Sequence, residues 1–288
     1  MKIIDILNSK EVTLSFEVFP PKTDAGFASV ARATHKIADL HPAFMSVTYG
    51  AAGSTSKNTA QIAADLQNIY DVSVLAHLTC VASDKAKVAE MVRLYQSIGV
   101  ENIMALRGDI PKDGMVCHDY TYASDMIADI RKQAPDLCIG GACYVEGHVE
   151  CQRQSDDIKN LKKKVDAGCD FLTTQMFFDN NMMYNFLYKI RAAGIEVPVC
   201  AGIMPITNEK QVGRSVALSG ATIPQRFRQR VDRFGDDPEK MKQAGVIYAT
   251  EQIIDLIANG VTHIHVYSMN KPEVAAGILK NLSEILCL

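Results

Sequence analysis

The chain has 288 residues, 48% of them hydrophobic, eight cysteines and a formal net charge of −3. That apolar content is enough to fill a large core and excludes disorder as a description of most of the chain, and the charge leaves no electrostatic footprint for nucleic acid or an anionic membrane. No apolar run approaches the ~20 residues needed to cross a bilayer, and the short apolar stretch at 1–12, broken by Asp5, Lys10 and Glu11, is no secretion signal.

The cysteines show no CxxC pair and no zinc-like spacing, so no metal site is expected. Cys80, Cys138, Cys143, Cys169 and Cys200 fall in or beside apolar runs and read as reduced core thiols of a cytoplasmic protein. Small-molecule chemistry is the remaining expectation.

Along the chain, short apolar runs alternate with amphipathic stretches. The first strand is expected at 13–19, followed by a helix at 24–40 and strands at 43–48 and 73–79. A helix at 85–98, a strand at 102–106, a helix at 122–133 and a strand at 137–144 continue the series. Next come a helix at 156–167, a strand at 171–175, a helix at 180–193 and a strand at 197–203. Three helical patterns at 209–218, 224–234 and 238–259 then elaborate the seventh unit before the last strand, 263–267. Evenly spaced strand–helix units in this length predict an α/β fold, a closed (β/α)8 TIM barrel forming a single domain over 1–288. A doubly wound sheet rarely needs so many such units.

In a barrel, reactive groups sit where strands end at the C-terminal face. Each strand here runs into a polar or glycine-containing cluster there: Glu17, Thr48-Tyr49-Gly50, His77, Arg107-Gly108-Asp109, Tyr144 with His148, Gln175, and Asn270-Lys271. Alternation places Thr13, Ser15 and Glu17 on one strand face and Leu14, Phe16 and Val18 on the other, turning Glu17 toward the barrel mouth. Flanked by Phe16 and Val18 and shielded from water, it is expected to have a raised pKa suited to a general acid. A glutamate paired to a barrel cation fits the pattern equally well. Arg107-Gly108-Asp109 fits a ligand clamp or a local salt bridge, and a lone His77 in an apolar strand fits a core residue or a site residue. Of Lys159, Lys162, Lys163 and Lys164, which fan around one helix, only one or two can face a ligand. There is no GxGxxG and no GxxxxGK[ST], so any dinucleotide must be held by the rim.

The segments Ser15-Phe16-Glu17-Val18-Phe19-Pro20-Pro21-Lys22 and Ser46-Val47-Thr48-Tyr49-Gly50-Ala51 resemble those of the methylenetetrahydrofolate reductase family. Ala76-His77-Leu78-Thr79-Cys80, Ala105-Leu106-Arg107-Gly108-Asp109, Tyr122-Ala123-Ser124-Asp125, 162–168 and Thr174-Gln175-Met176-Phe177-Phe178-Asp179 continue the likeness in order, over nearly the whole chain. The resemblance implies noncovalent FAD on the C-terminal face and hydride transfer from flavin N5 to the one-carbon unit of 5,10-methylenetetrahydrofolate. It makes Glu17 the general acid that assists ring opening, and puts Asp109 at the flavin's pyrimidine edge, where its charge influences the potential. For the cofactor it points to Thr48, Tyr49, Ala51, His77, Arg107, Gly108, Asp109, Tyr122, Ala123, Tyr144, His148, Asp157, Asn160 and Lys164. For the substrates it points to Gln175, Gln211 and Lys271, with folate and nicotinamide sharing one face in a ping-pong cycle.

Three positions depart from the family's bacterial pattern: Val145 replaces a proline, Ser215 an aromatic that packs on folded NADH, and Lys271 an arginine. The electron donor is therefore NADH or NADPH acting directly, or a partner subunit. A flavin-free pterin-binding methyltransferase and a noncatalytic folate-binding subunit are the other classes considered. The flavin-like contacts argue against the first and an intact Glu17 against the second. A homo-oligomer is expected, and regulation by S-adenosylmethionine is not.

Overall fold

Alternation along the first strand sets the orientation of everything built on it. In a computed structural model, which describes residues 1–9, 12–21, 23–49, 56–110 and 116–286, β1 (Thr13–Val18) turns Leu14, Phe16 and Val18 into the shell packed under the helices. Ser15 and Glu17 point into the barrel. The same rule holds on β3 (Val74–Thr79), where Val74, Ala76 and Leu78 face the helices while His77 and Thr79 face inward.

With β2 (Met45–Val47), β4 (Asn102–Leu106), β5 (Cys138–Cys143), β6 (Phe171–Thr174), β7 (Val199–Ile203) and β8 (His263–Tyr267), these strands form a closed barrel in sequence order. Every ladder is parallel, and β8 closes on β1 with Thr13 opposite His263 and Glu17 opposite Tyr267. Several strands are shorter than their apolar runs. At 197–198 the regular ladder has not begun because Pro198 has no N–H to give, although its carbonyl accepts from Leu172 N at 2.9 Å.

The helices are α1 (Ile3–Ser9), α2 (Phe27–Ala38), α3 (Ser56–Ile69), α4 (Lys85–Ser97), α5 (Ala123–Gln133), α6 (Gln154–Asp166) and α7 (Asn180–Ala192). In the seventh unit, α8 (Lys210–Ser219), α9 (Gln225–Phe234) and α10 (Pro238–Ala258) follow β7, and α11 (Pro272–Leu282) follows β8. The elaboration expected there is present. Its apolar core is a separate cluster of Phe178, Met204, Ile206, Phe227 and Met241.

α1 has no counterpart in the sequence reading. Its Ile3, Ile6 and Leu7 pack on the inward residues Leu75, Met104, Cys138, Phe171 and Cys200, away from the rim. Asn102 holds it there, accepting from Ile3 N at 2.7 Å and donating to Val74 O at 3.1 Å. The five cysteines expected in the core are all buried and free, and no described helix is long and apolar enough to cross a bilayer.

Candidate functional site

The barrel opens at its C-terminal face into a cleft of about 800 Å³, toward the upper end of the ~300–1,000 Å³ range of small-molecule pockets. Glu17 lies in it, on the innermost ring of polar side chains. Ser46 Oγ lies 3.3 Å from Glu17 Oε2 and 3.1 Å from His265 Nε2, and Ser15 Oγ lies 2.8 Å from His265 Nδ1. His77 Nε2 and His265 Nε2 stand 3.6 and 3.9 Å from the same carboxylate oxygen.

Ser15 donates its single hydroxyl proton to Ile264 O at 3.0 Å, so the bond to His265 requires a proton on Nδ1. Ser46 has one proton for two partners. If it goes to Glu17, His265 Nε2 donates to Ser46; if it goes to Nε2, Glu17 donates. For both contacts to be hydrogen bonds, one further proton resides on Glu17 or on His265, and a relay through the Ser46 hydroxyl, one proton received and one passed on, connects the two states.

The expected rise in the Glu17 pKa is not found. Burial does push it up and is the largest single influence. The His265 hydrogen bond, the charges at His77 and His265 and the Ser46 hydrogen bond together outweigh it, leaving the carboxyl below its ordinary 4.5. Alternation is the reason: Phe16 and Val18 face the helices, so they shield nothing, while the carboxylate sees neighbours from β2, β3 and β8. Glu17 is thus neither a simple lysine or arginine pair nor a carboxyl in an apolar pocket. Burial depresses His77 to about 4 despite the pull of Glu17, so it is neutral near pH 7. Its Nε2 is buried without a hydrogen-bond partner, an orphaned polar atom at the base of the cleft.

On the β4 side, Arg107 pairs with Glu150 rather than with Asp109, through a two-armed contact at 2.6 and 2.8 Å. Gly108 has φ +87°, and an added Cβ would lie 2.9 Å from the Thr79 Cβ, so only glycine fits this turn. Asp109 is exposed and lines the cleft, as do Tyr122 and Ala123 at the start of α5. Thr48 and Tyr49 line it beyond β2, and Ala51 lies outside the described residues.

Beyond β5, Tyr144 and His148 meet edge to face with centroids 4.5 Å apart. The loop lacks a proline at Val145, but Gln154 Nε2 donates to Val145 O at 2.8 Å. Glu146 also accepts from Thr222 N at 3.0 Å and Thr222 Oγ1 at 2.7 Å, tying the loop to the segment after α8. Asp157, Asn160 and Lys164 recur on one face of α6, and all three line the cleft. Asp157 is held above its ordinary 3.8 by burial, against the His148 N–H that it accepts. Lys164 reaches the Ala142 carbonyl, passing over Gly141, where a Cβ would meet its Cδ at 2.8 Å. Lys159 and Lys162 are spent on Asp156 and Asp166, and Lys163 on Asn160 Oδ1.

Gln175 Oε1 accepts from Met176 N at 2.9 Å and Gln211 Oε1 from Thr207 N at 2.9 Å. Both side chains line the cleft, leaving their amide N–H groups for a ligand. Lys271 is not among the lining residues; its ammonium donates to Thr207 Oγ1 at 2.8 Å, one step behind Gln211. Ser215 lines the wall with Arg214 and Leu218, and its carbonyl accepts from Ser219 Oγ.

Sequence reasoning missed Ser46, His265, Tyr267 and Glu150. Tyr267 OH donates to Thr174 O at 2.6 Å, and burial, then the Glu17 charge, keeps the phenol neutral. The available signal was alternation, which puts His265 and Tyr267 on the inward face of β8 just as it does Glu17 on β1.

A profile of the family described as methylenetetrahydrofolate reductase matches residues 2–283. Methylenetetrahydrofolate reductase (NADH) 1 of Arabidopsis thaliana is 34% identical, the alignment covering 99% of this chain and 51% of that protein, so the chain spans about half the length of this plant relative. The 5,10-methylenetetrahydrofolate reductase of Escherichia coli K12 is 32% identical over 94% of this chain and 91% of its own. Among solved structures, an uncharacterized protein from Clostridium thermocellum, described as binding two copies of 5-methyl-5,6,7,8-tetrahydrofolic acid, shares the fold with a TM-score of 0.69. It has 15% identity and is covered over 99% of its length, against 100% of this chain. Sequence match over nearly the full described barrel and the cleft at its C-terminal face lead to the same conclusion: the chain belongs to the methylenetetrahydrofolate reductase family.

Proposed function

We propose that the chain catalyses the reversible, FAD-dependent reduction of 5,10-methylenetetrahydrofolate to 5-methyltetrahydrofolate. The observation that carries this reading is the Glu17–Ser46–His265 proton chain, set under a cleft whose walls hold Thr48, Tyr49, His77, Arg107, Asp109, Tyr122, Ala123, Tyr144, His148, Asp157, Asn160 and Lys164. Bound there noncovalently, FAD supplies the hydride carriage between nicotinamide and the one-carbon unit. His77 Nε2 and the Arg107 and Lys164 donors would hold its polar edges, and Asp109, which lines the same cleft, would add a negative charge there.

Glu17 is the general acid: its carboxyl gives a proton to the nitrogen that leaves the one-carbon unit when the five-membered ring opens. At rest the carboxylate is ionised, and Ser46 links it to His265 across two hydrogen bonds. Ligands that cover Glu17 exclude water and favour the neutral carboxyl that can act as the acid. Gln175 and Gln211 orient the pterin through their amide donors, with Lys271 behind Gln211 through Thr207.

NADH or NADPH is the direct reductant in this reading, binding the same face after folate leaves. Ser215 on α8 motivates a second version in which a partner subunit delivers the electrons. The free buried thiols fit a reducing cytoplasmic setting, and a homo-oligomer is the expected assembly. The test is the visible spectrum of the purified chain, followed by anaerobic 5-methyltetrahydrofolate. Flavin bands that bleach on addition support the assignment, whereas a chain that stays colourless after reconstitution with FAD overturns it. NADH and NADPH oxidation by the chain alone then separates the donors; turnover only with a reduced dye favours the partner-fed version.

A further inference from the structure

Arg107 leaves the end of β4 with its guanidinium turned toward the loop after β5. Nη1 donates to Glu150 Oε2 at 2.6 Å and Nη2 to Oε1 at 2.8 Å, while Nε reaches Gly108 O at 3.4 Å. The carboxylate side is held as well: Glu150 N donates to His148 Nδ1 at 3.1 Å, and His148 N to Asp157 Oδ2 at 3.3 Å. The β4 and β5 walls are therefore joined by one ion pair, and Arg107, Glu150, His148 and Asp157 all line the cleft.

The Glu150 side chain is 54% exposed, and a pair so open to solvent adds little to folding. Its consequence is geometric. A fork takes one N–H from each terminal nitrogen and fixes the guanidinium plane, leaving the second N–H of each as a donor already oriented before a ligand arrives. It also cancels the charge, so the site presents hydrogen bonds at this point rather than a free cation.

We propose that Glu150 is the positioning residue for Arg107, holding its guanidinium so that Arg107 meets the bound cofactor as an oriented, charge-neutralised donor. This rests on the flavin reading above. Without the fork, the arginine has to be ordered at each binding event, and that ordering appears as lost affinity. Because Glu150 acts through Arg107, the two residues are not independent.

The experiment is a double-mutant cycle on the full chain stripped of flavin, with FAD titrated and binding read by quenching of its fluorescence. Glu150→Ala is expected to weaken FAD about tenfold, and Arg107→Ala at least as much, with the double variant no weaker than Arg107→Ala alone. Glu150→Gln, which keeps one carbonyl acceptor, falls between wild type and Glu150→Ala. Melting temperatures measured without FAD stay close to wild type, separating positioning from folding. Unchanged or tighter FAD binding in both Glu150 variants overturns the inference, the tighter case showing that Glu150 competes with the cofactor. Additive losses in the double variant overturn it too. A wild-type chain that takes up no FAD instead overturns the flavin reading and this inference with it.

Discussion

Replacing Glu17 by glutamine keeps its shape and its contact with Ser46 but removes the proton it transfers. Turnover of methylenetetrahydrofolate is expected to fall by about 10²–10⁴-fold, the usual worth of a positioned acid, while FAD still binds. Near-normal steady-state turnover in that variant would remove Glu17 from the mechanism. His77 makes a separate prediction about acid stability. Its imidazole is held at about 4, against an ordinary value of 6.5. Above pH 6.5 it is neutral folded and unfolded alike. Between 6.5 and 4 the unfolded chain takes up a proton that the folded chain refuses, so stability falls as the pH falls, by at most about 3 kcal/mol. Glu17 acts in the same direction lower down: its depressed carboxyl stabilises the fold above its unfolded value of 4.5 and loses that contribution as the pH drops through the folded one. Urea unfolding of the flavin-free chain at stepped pH checks this, and His77→Asn is expected to flatten the slope between pH 6.5 and 4.

One tie matters among the elements around the mouth. α8 presents Gln211, Arg214, Ser215 and Leu218 to the cleft on successive turns. The segment that follows it is held by Thr222, whose amide and hydroxyl both donate to Glu146. The Gln154 bond to Val145 O keeps the same β5–α6 loop in place where a proline is lacking. Glu146→Ala is therefore expected to speed amide exchange in α8 while leaving α2 unchanged, and to raise the KM for folate more than it lowers kcat. Equal exchange in α8 before and after the substitution would mean that packing on α9 and α10 holds this helix without the tie.

Across the whole molecule, the cleft draws on loops from nearly every strand, so a ligand filling it bridges walls that side-chain ties such as Arg107–Glu150 and Glu146–Thr222 join only locally. FAD at ~100 times its Kd stabilises a folded-state binder by about 2.7 kcal/mol, a rise in Tm of several degrees for a chain of this size. Differential scanning fluorimetry with and without FAD reads it directly. No shift at saturating FAD would count against a site on the folded barrel.

The barrel itself was legible in the chain. Short apolar runs separated by amphipathic stretches gave strand number and order, and alternation on β1 turns Glu17 inward, because a strand offers its side chains only two directions. Most of the residues expected at the site line the cleft, since side chains at the strand ends of a parallel barrel gather at one face; Lys271 stands outside the lining and Ala51 outside the described residues. Two things were decided only by the closed structure. α1, too short and too interrupted to announce itself, is a helix because the barrel interior gives Ile3, Ile6 and Leu7 somewhere to be buried. The charge on Glu17 is set by Ser46, His77 and His265, contributed by three other strands far apart in sequence. Local pattern says which way a side chain points, but its proton affinity depends on what closure places within a few ångströms of it, and that sum is made only when β8 meets β1.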